Sequence, residues 1–439
     1  MEFNKISILP LLYFTILQGF SQEILTKQQA LKITLEHNFG IKIANNNIEV
    51  AKNNSSIYNS GFLPTASISS GANFRSDNQT INRQDGTSVS IDNAETKSYN
   101  ASVNLNYIIF DGLGRKYNYQ QLKETYNLTE LQAKQTIENT YLQLFTTYFQ
   151  IARLSQNKAN LKEALSISKG RLLRAKYQFQ YGQSTKLELL NAEVDVNNDS
   201  ITLISARQQL SNAKRSLNVI LGVEQNVNYN VDTEVYFNKM MNLEDLLQKT
   251  IANNSTLKQN EINIAISEFN IKINKSNYLP SLGLNTAYGW NKSENPATSF
   301  LAGSTSNGLN AGLSLSWNIF DGGSTKTRVA NSKIALENQQ ILLEEQKVTI
   351  QNTLKNAWGD YQNQLFILKA QEKNVVTNQN NFDRSTERYK LGQITSIEFR
   401  QAQMNLINSK TAFNNAKFDA KLIELQLLQL SGDILNVSF

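Results

Sequence analysis

The stretch Tyr99–Gly112 reads Y-N-A-S-V-N-L-N-Y-I-I-F-D-G, and Leu309–Gly322 gives a second edition, L-N-A-G-L-S-L-S-W-N-I-F-D-G. In the first, Tyr99, Ala101, Val103, Leu105 and Tyr107 alternate with Asn100, Ser102, Asn104 and Asn106. In the second, Leu309, Ala311, Leu313, Leu315 and Trp317 alternate with Asn310, Gly312, Ser314 and Ser316. A period of two over such a length describes a strand with one oily and one wet face. Each strand is expected to run to Phe-Asp-Gly, at Phe110, Asp111 and Gly112 and again at Phe320, Asp321 and Gly322, where a long helical pattern begins.

Working outward, each of these strands completes a hairpin. Phe62-Leu63-Pro64 and Tyr278-Leu279-Pro280 close preceding helical patterns, because proline cannot continue a helix and pushes its predecessor toward extended geometry. Strands are expected from Thr65 to about Phe74 and from Ser281 to Trp290. The polar segments Arg75–Lys97 and Asn291–Gly308 read as long exposed loops. The helical patterns upstream, Glu23 to about Gly61 and Asn242–Asn277, read as one helix each.

Downstream of Gly112 no proline interrupts the pattern until Tyr181-Gly182-Gln183-Ser184-Thr185, matched by Leu391-Gly392-Gln393-Ile394-Thr395. Leu144, Ile151, Leu165, Leu172 and Phe179 lie on one seven-residue lattice, as do Leu354, Tyr361, Leu368, Val375, Phe382 and Tyr389. Sustained heptads argue for coiled-coil packing, and about 68 residues at ~1.5 Å each make a helix on the order of 100 Å. Return helices carry Leu189, Val196, Leu203, Leu210 and Leu217, then Phe399, Leu406, Phe413, Ala420 and Leu427. Asp111 and Asp321 are placed to cap the long helices.

The chain therefore divides into a signal peptide at 1–21, a first repeat at 22–222 and a linker at 223–241. A second repeat at 242–432 and a tail at 433–439 follow. The hairpins span 62–110 and 278–320, and the helix hairpins span 112–222 and 322–432. The leader rests on Lys5, an apolar Ile6–Phe20, and Gly19 and Ser21 before a cut at Gln22.

Composition narrows the function. The 439 residues include no cysteine and one histidine, His37, which excludes thiolate metal sites and nearly excludes Ser-His-Asp chemistry. The net charge of +6 is scattered, without the basic stripe that nucleic acid would require. No cofactor is expected, and nothing converges on a catalytic site.

Four strands with an oily face cannot close a barrel alone, and an open sheet in lipid would leave edge groups unpaired. Tyr99, Tyr288 and Trp290 toward the loops, with Tyr107 and Trp317 toward the helices, suit an aromatic girdle. The order of parts, given twice, resembles the TolC-like outer-membrane efflux factors over essentially the whole mature chain.

That resemblance implies a mainly helical fold with membrane strands and a homotrimer sharing one twelve-stranded β-barrel in outer-membrane lipid. An α-barrel would cross the periplasm to a membrane-fusion (adaptor) protein and an inner-membrane pump of RND, ABC or MFS type. The implied function is a non-enzymatic exit duct for efflux or type I secretion. A secreted coiled-coil adhesin or stalk is the competing possibility. The resemblance also implies a gate at Gly182 and Gly392, with Glu188 and Tyr389 as a closing contact. The family's two pore-lining acids fall on Glu398 and Gln401, so one carboxylate survives, and its usual arginine is Ile394 here.

Overall fold

A computed structural model describes residues 24–224, 229–238 and 241–437. The leader expected at residues 1–21 and Val227 of the linker lie outside the described residues, as do the last two residues of the tail.

The repeat shows in the element order. The first copy runs β1 (Ile24–Leu25), α1 (Lys27–His37), α2 (Phe39–Asn54), β2 (Thr65–Asn82), β3 (Ser88–Asp111), α3 (Gly114–Gln180) and α4 (Lys186–Leu221). After β4 (Asn230–Val231), the second runs α5 (Leu243–Asn253), α6 (Ser255–Ser276), β5 (Ser281–Glu294), β6 (Gly303–Ser316), α7 (Ser324–Lys390) and α8 (Ser396–Leu430). Helices α3 and α7 have 67 residues each, about 100 Å at ~1.5 Å per residue. Each packs against its own return helix, and α3 also meets α2, α6 and α8.

The opening helix of each repeat is two helices, not one. Asn38 breaks the first: its Oδ1 accepts from the Ile41 N–H at 3.1 Å, and its Nδ2 donates to the Ile220 carbonyl at 2.7 Å. Asn254, 216 residues later, repeats the device: its Oδ1 caps Thr256 and Leu257, and its Nδ2 reaches the Leu430 carbonyl at 3.0 Å. One asparagine thus caps the second helix and ties the break to the end of the return helix. Gly222, at φ +68°, fits so closely there that a Cβ would lie 2.3 Å from the His37 carbonyl. Asn38→Ala should cost about 1–2 kcal/mol by removing the cap and orphaning a carbonyl, read as a lower midpoint in denaturant. An unchanged midpoint would discount the junction.

The strands form one antiparallel sheet in the order β2-β3-β5-β6. Most of the expected loop Arg75–Lys97 is strand, since the ladder continues to the Asn82–Ser88 pair around a turn at 83–87. Val89 and Ile91 do alternate with Ser88 and Ser90, but the bulge at Asp92 and Asn93 and the polar run Arg75–Thr80 interrupt the pattern and conceal the strand. The second loop is likewise shorter than expected, because β5 reaches Glu294 and β6 begins at Gly303. At its other end β6 stops at Ser316, so Trp317 and Phe320 lie beyond the strand. Their would-be partners include Pro280, which has no N–H to give a ladder. Trp317 instead donates its indole N–H to the Tyr278 carbonyl at 3.0 Å.

The main core lies midway along the helices. Tyr141, Leu144, Phe145, Tyr148, Phe149 and Ile151 of α3 pack with Leu217 and Leu221 of α4 and Phe418 and Leu425 of α8. The linker joins this core: β4 pairs in parallel with β1, and the Tyr148 hydroxyl donates to the Leu25 carbonyl at 2.6 Å. The tail joins it too, through a fully buried Ile434.

Candidate functional site: the sheet wall and the helix tips

Strand register decides which side chains share a face. Ile68, Val103, Tyr288 and Leu309 form one row across all four strands, and Ala66, Leu105, Thr286 and Ala311 form the next on that face. Tyr107, Leu284 and Leu313 extend the oily face toward the helices, and Ala101 and Trp290 extend it toward the loops. Between Tyr99 and Tyr107 the strand covers about 27 Å at ~3.4 Å per residue, close to the ~25 Å apolar band of a membrane barrel once tilt is allowed for.

The opposite face carries Thr65–Asn106–Asn285–Gly312, Ser67–Asn104–Ala287–Asn310, Ser69–Ser102–Gly289–Gly308 and Gly71–Asn100–Asn291–Ser306. These rows hold hydroxyls, amides and glycines, without a charge among them. Several bond sideways, as Ser69 to Ser102 at 2.9 Å and Asn285 to Ser314 at 3.2 Å. Such a wall suits water. Strands β2 and β6 each keep an unpaired edge.

Asp111 and Asp321 hold the corners between sheet and helix. Oδ2 of Asp111 accepts from the Arg115 N–H at 2.8 Å, and Arg115 in turn donates to the Gly61 carbonyl at 2.9 Å and lies over the Phe62 ring. Asp321 accepts from the Thr325 N–H at 2.8 Å and its hydroxyl at 2.6 Å, which hold the carboxyl below its usual range. Pro64 and Pro280 stand just ahead of β2 and β5.

At the far end, Gly182 and Gly392 take left-handed conformations, φ +70° and +72°. The next N–H reaches back to close each helix, Gln183 to Gln178 at 2.7 Å and Gln393 to Arg388 at 2.9 Å. Thr185 and Thr395 cap the return helices. Glu398 completes a capping box, its Oε2 accepting from the Thr395 N–H at 2.7 Å and hydroxyl at 2.9 Å. Those two bonds hold its carboxyl below the ordinary glutamate value, so it is anionic at neutral pH. Gln401 bonds along α8 to Asn405.

Glu188 and Tyr389 have separate partners within one chain. The Glu188 carboxylate accepts from the Ser184 hydroxyl. Tyr389 stacks on Phe399 at 4.7 Å, with the Arg174 guanidinium 4.9 Å from its ring.

A buried charged cluster a few turns from the tip escapes sequence reasoning. Arg400 of α8 grips Asp199 of α4 with two nitrogens, at 2.7 and 2.8 Å, while Ser168 of α3 donates to the same carboxylate at 2.6 Å. Arg171, 4% exposed, pairs with Asp195 and donates to the Ser396 carbonyl at 3.2 Å. Burial alone would raise the Asp199 pKa, but the hydrogen bonds from Arg400 and Ser168 and the charges of Arg400 and Arg171 outweigh it and hold the carboxyl low. Its only signal in the sequence is Asp199 on the seam of Ala192 and Ala206, seven residues either way. Between the starts of α4 and α8 lies a cleft of about 530 Å³ lined by Glu188, Asp195, Ile397, Arg400 and Met404 among others.

A sheet oily on one face and wet on the other, joined to two helices of about 100 Å that each carry a shorter return helix, fits a channel whose wall is strand in the membrane and helix beyond it. Among the described residues no helix is long and apolar enough to cross a membrane. The chain matches the family described as outer membrane efflux protein over residues 30–223 and 246–433, and it belongs to that family. It is 21% identical over 377 residues to the outer membrane protein TolC of Vibrio cholerae, covering 85% of this chain and 83% of that one. It is 20% identical to the outer membrane efflux protein BepC of Brucella suis, over 90% of this chain and 80% of that one. The Campylobacter jejuni CmeC outer membrane channel superposes with a TM-score of 0.78 at 18% identity, over 93% of this chain and 85% of that one. The protein is an outer-membrane efflux duct with a long helical extension into the periplasm.

Proposed function

We propose that three copies close one twelve-stranded barrel and one helical tunnel. An adaptor protein and an inner-membrane pump would deliver cargo to its tip. The observation that carries this is the open sheet. Its oily rows run unbroken across four strands, yet β2 and β6 keep free edges, and lipid does not tolerate unpaired backbone groups. Neighbouring copies satisfy both edges. The cleft between the starts of α4 and α8 offers the adaptor a concave surface. The mass of the detergent-solubilised mature chain, with conductance in planar bilayers, tests the assembly. A chain monomeric in buffer without detergent would overturn it.

The gate belongs at the two glycine turns. Among the described residues the Tyr389 hydroxyl has no hydrogen-bond partner, which leaves it able to donate to Glu188 in a closed tunnel. Tyr389→Phe combined with Glu188→Gln should raise single-channel conductance, and unchanged conductance would reject the pair. Three Glu398 carboxylates around the axis should attract cations, since charges on a narrow wall focus the field. Glu398→Gln should then reduce cation selectivity, measured as a reversal potential across a salt gradient. An unaltered potential would count against the ring.

A further inference from the structure

At the end of the sheet away from the helices the two hairpins are unequal. β5 and β6 stop at the Glu294–Gly303 pair, while β2 and β3 run on from Arg75–Thr96 to Asn82–Ser88. The segment between β5 and β6, residues 295–302, is folded rather than splayed. Asn295 donates its backbone N–H to the Ala302 carbonyl at 2.9 Å and its side-chain amide to the Leu301 carbonyl at 3.1 Å. The loop lies against the overhanging ribbon, where the Thr298 hydroxyl donates to Oε1 of Gln79 at 2.9 Å; Thr298 is 8% exposed.

Register identifies the face of the ribbon that the loop covers. Residues two apart share a face, so Asn73, Arg75 and Asp77 continue the wet row of Thr65, Ser67, Ser69 and Gly71. A bulge then sets Asp92 and Asn93 of β3 against Asn78 alone. The extra residue is in β3, so Gln79 stays on the face of Asp77, to which its amide donates at 3.3 Å. Ala94, opposite Asp77 on that face, is 2% exposed. The loop is therefore docked on the face of the ribbon that continues the wet wall of the sheet, opposite the oily rows. Beyond Thr298 its tip carries Phe300 and Leu301, 101% and 55% exposed in the single chain.

We infer that residues 295–302 form an inward-folded lid whose apolar tip, Phe300 and Leu301, meets the same tip of the neighbouring copies over the exit mouth. The inference rests on the trimer proposed above. A threefold axis turns three such tips toward one another on the water side of the barrel, where they cover apolar surface that none of the other described residues covers. The partner is thus a second copy of this chain, and the contact is an apolar constriction in series with the gate at the helix tips.

The chain has no cysteine, so a single Phe300→Cys substitution reports the geometry directly. A short bis-maleimide added to the full-length protein in outer-membrane vesicles should link most chains into dimers, whereas Asp85→Cys at the ribbon tip should remain unlinked. Adding Thr298→Ala, which releases the loop from Gln79, should lower the Phe300→Cys yield several-fold. A trimer whose Phe300→Cys chains stay unlinked overturns the lid while leaving the trimer intact. A yield indifferent to Thr298→Ala overturns the docked placement. A monomeric chain would bring down the trimer and the lid together.

Discussion

Phe145→Ala is expected to destabilise the protein by about 3–5 kcal/mol, the usual range for emptying a buried aromatic site. Phe145 is fully buried midway along α3, with Tyr141 at 4.7 Å and Tyr148 and Phe149 at 6.2 and 6.1 Å between ring centres. The site cannot collapse easily. The surrounding rings sit on one rigid helix, and Tyr148 is pinned at its hydroxyl by Leu25 and by the Asp232 N–H at 3.0 Å. The matching position of the second repeat, 210 residues on, is Lys355, which is exposed. Lys355→Ala should leave stability near wild type. Thermal unfolding of both variants in the same detergent is the comparison, and equal midpoints would show that this cluster does not anchor the fold.

Asp199→Ala should cost about 3 kcal/mol, the low end for breaking a buried pair, because the Arg400 guanidinium loses both short hydrogen bonds and of its ion pairs keeps the looser one, Nε to Asp195 at 3.6 Å. Arg400 and Asp199 are only 16% and 12% exposed at their side chains, so the pair that is lost is one largely withdrawn from water. Replacing both members, Asp199→Ala with Arg400→Met, should recover much of the loss, since the desolvation cost goes with the charge. Acid supplies an independent check. A carboxyl held below its unfolded value, near 3.9 for aspartate, contributes stability that is full above that value and is lost as pH falls through the depressed one. The wild type should therefore weaken below about pH 4 more steeply than Asp199→Asn. Parallel acid titrations of the two would refute the role given to the pair.

The cluster also shows why part of the site was hidden in the sequence. Arg171, Asp195, Asp199 and Arg400 come from three helices and are separated by up to 229 residues. Each alone looks like a surface charge, and only the packing of α3 and α4 against α8 brings them together. The opposite holds for the capping groups Thr185 and Thr395, whose partners lie three residues away and are readable at sight.

The seven-residue lattice was legible where it continues into a core, as at Leu144, Ile151, Leu354 and Tyr361, all buried. Toward the tip it is less faithful. Phe179 is 39% exposed, and the buried seam of α3 there is Ala164, Ser168, Arg171 and Ala175. Small and polar residues permit close helix approach, and they are invisible to a search for oily repeats.

By itself, the sequence determined the duplication, the start of each long helix just after Phe-Asp-Gly, the glycine turns and the two faces of the sheet. These follow from period, proline and glycine, which act over a few residues of chain. Only the tertiary structure decided how far the strands run, where the opening helices break, and which charges are paired. It also decided that the second hairpin's loop folds to the water side. The last three of those depend on partners far along the chain: Ile220 and Leu430 for the two asparagines, α8 for Asp199, and Gln79 for Thr298, whereas the strand lengths were hidden by a bulge and a polar run within one hairpin.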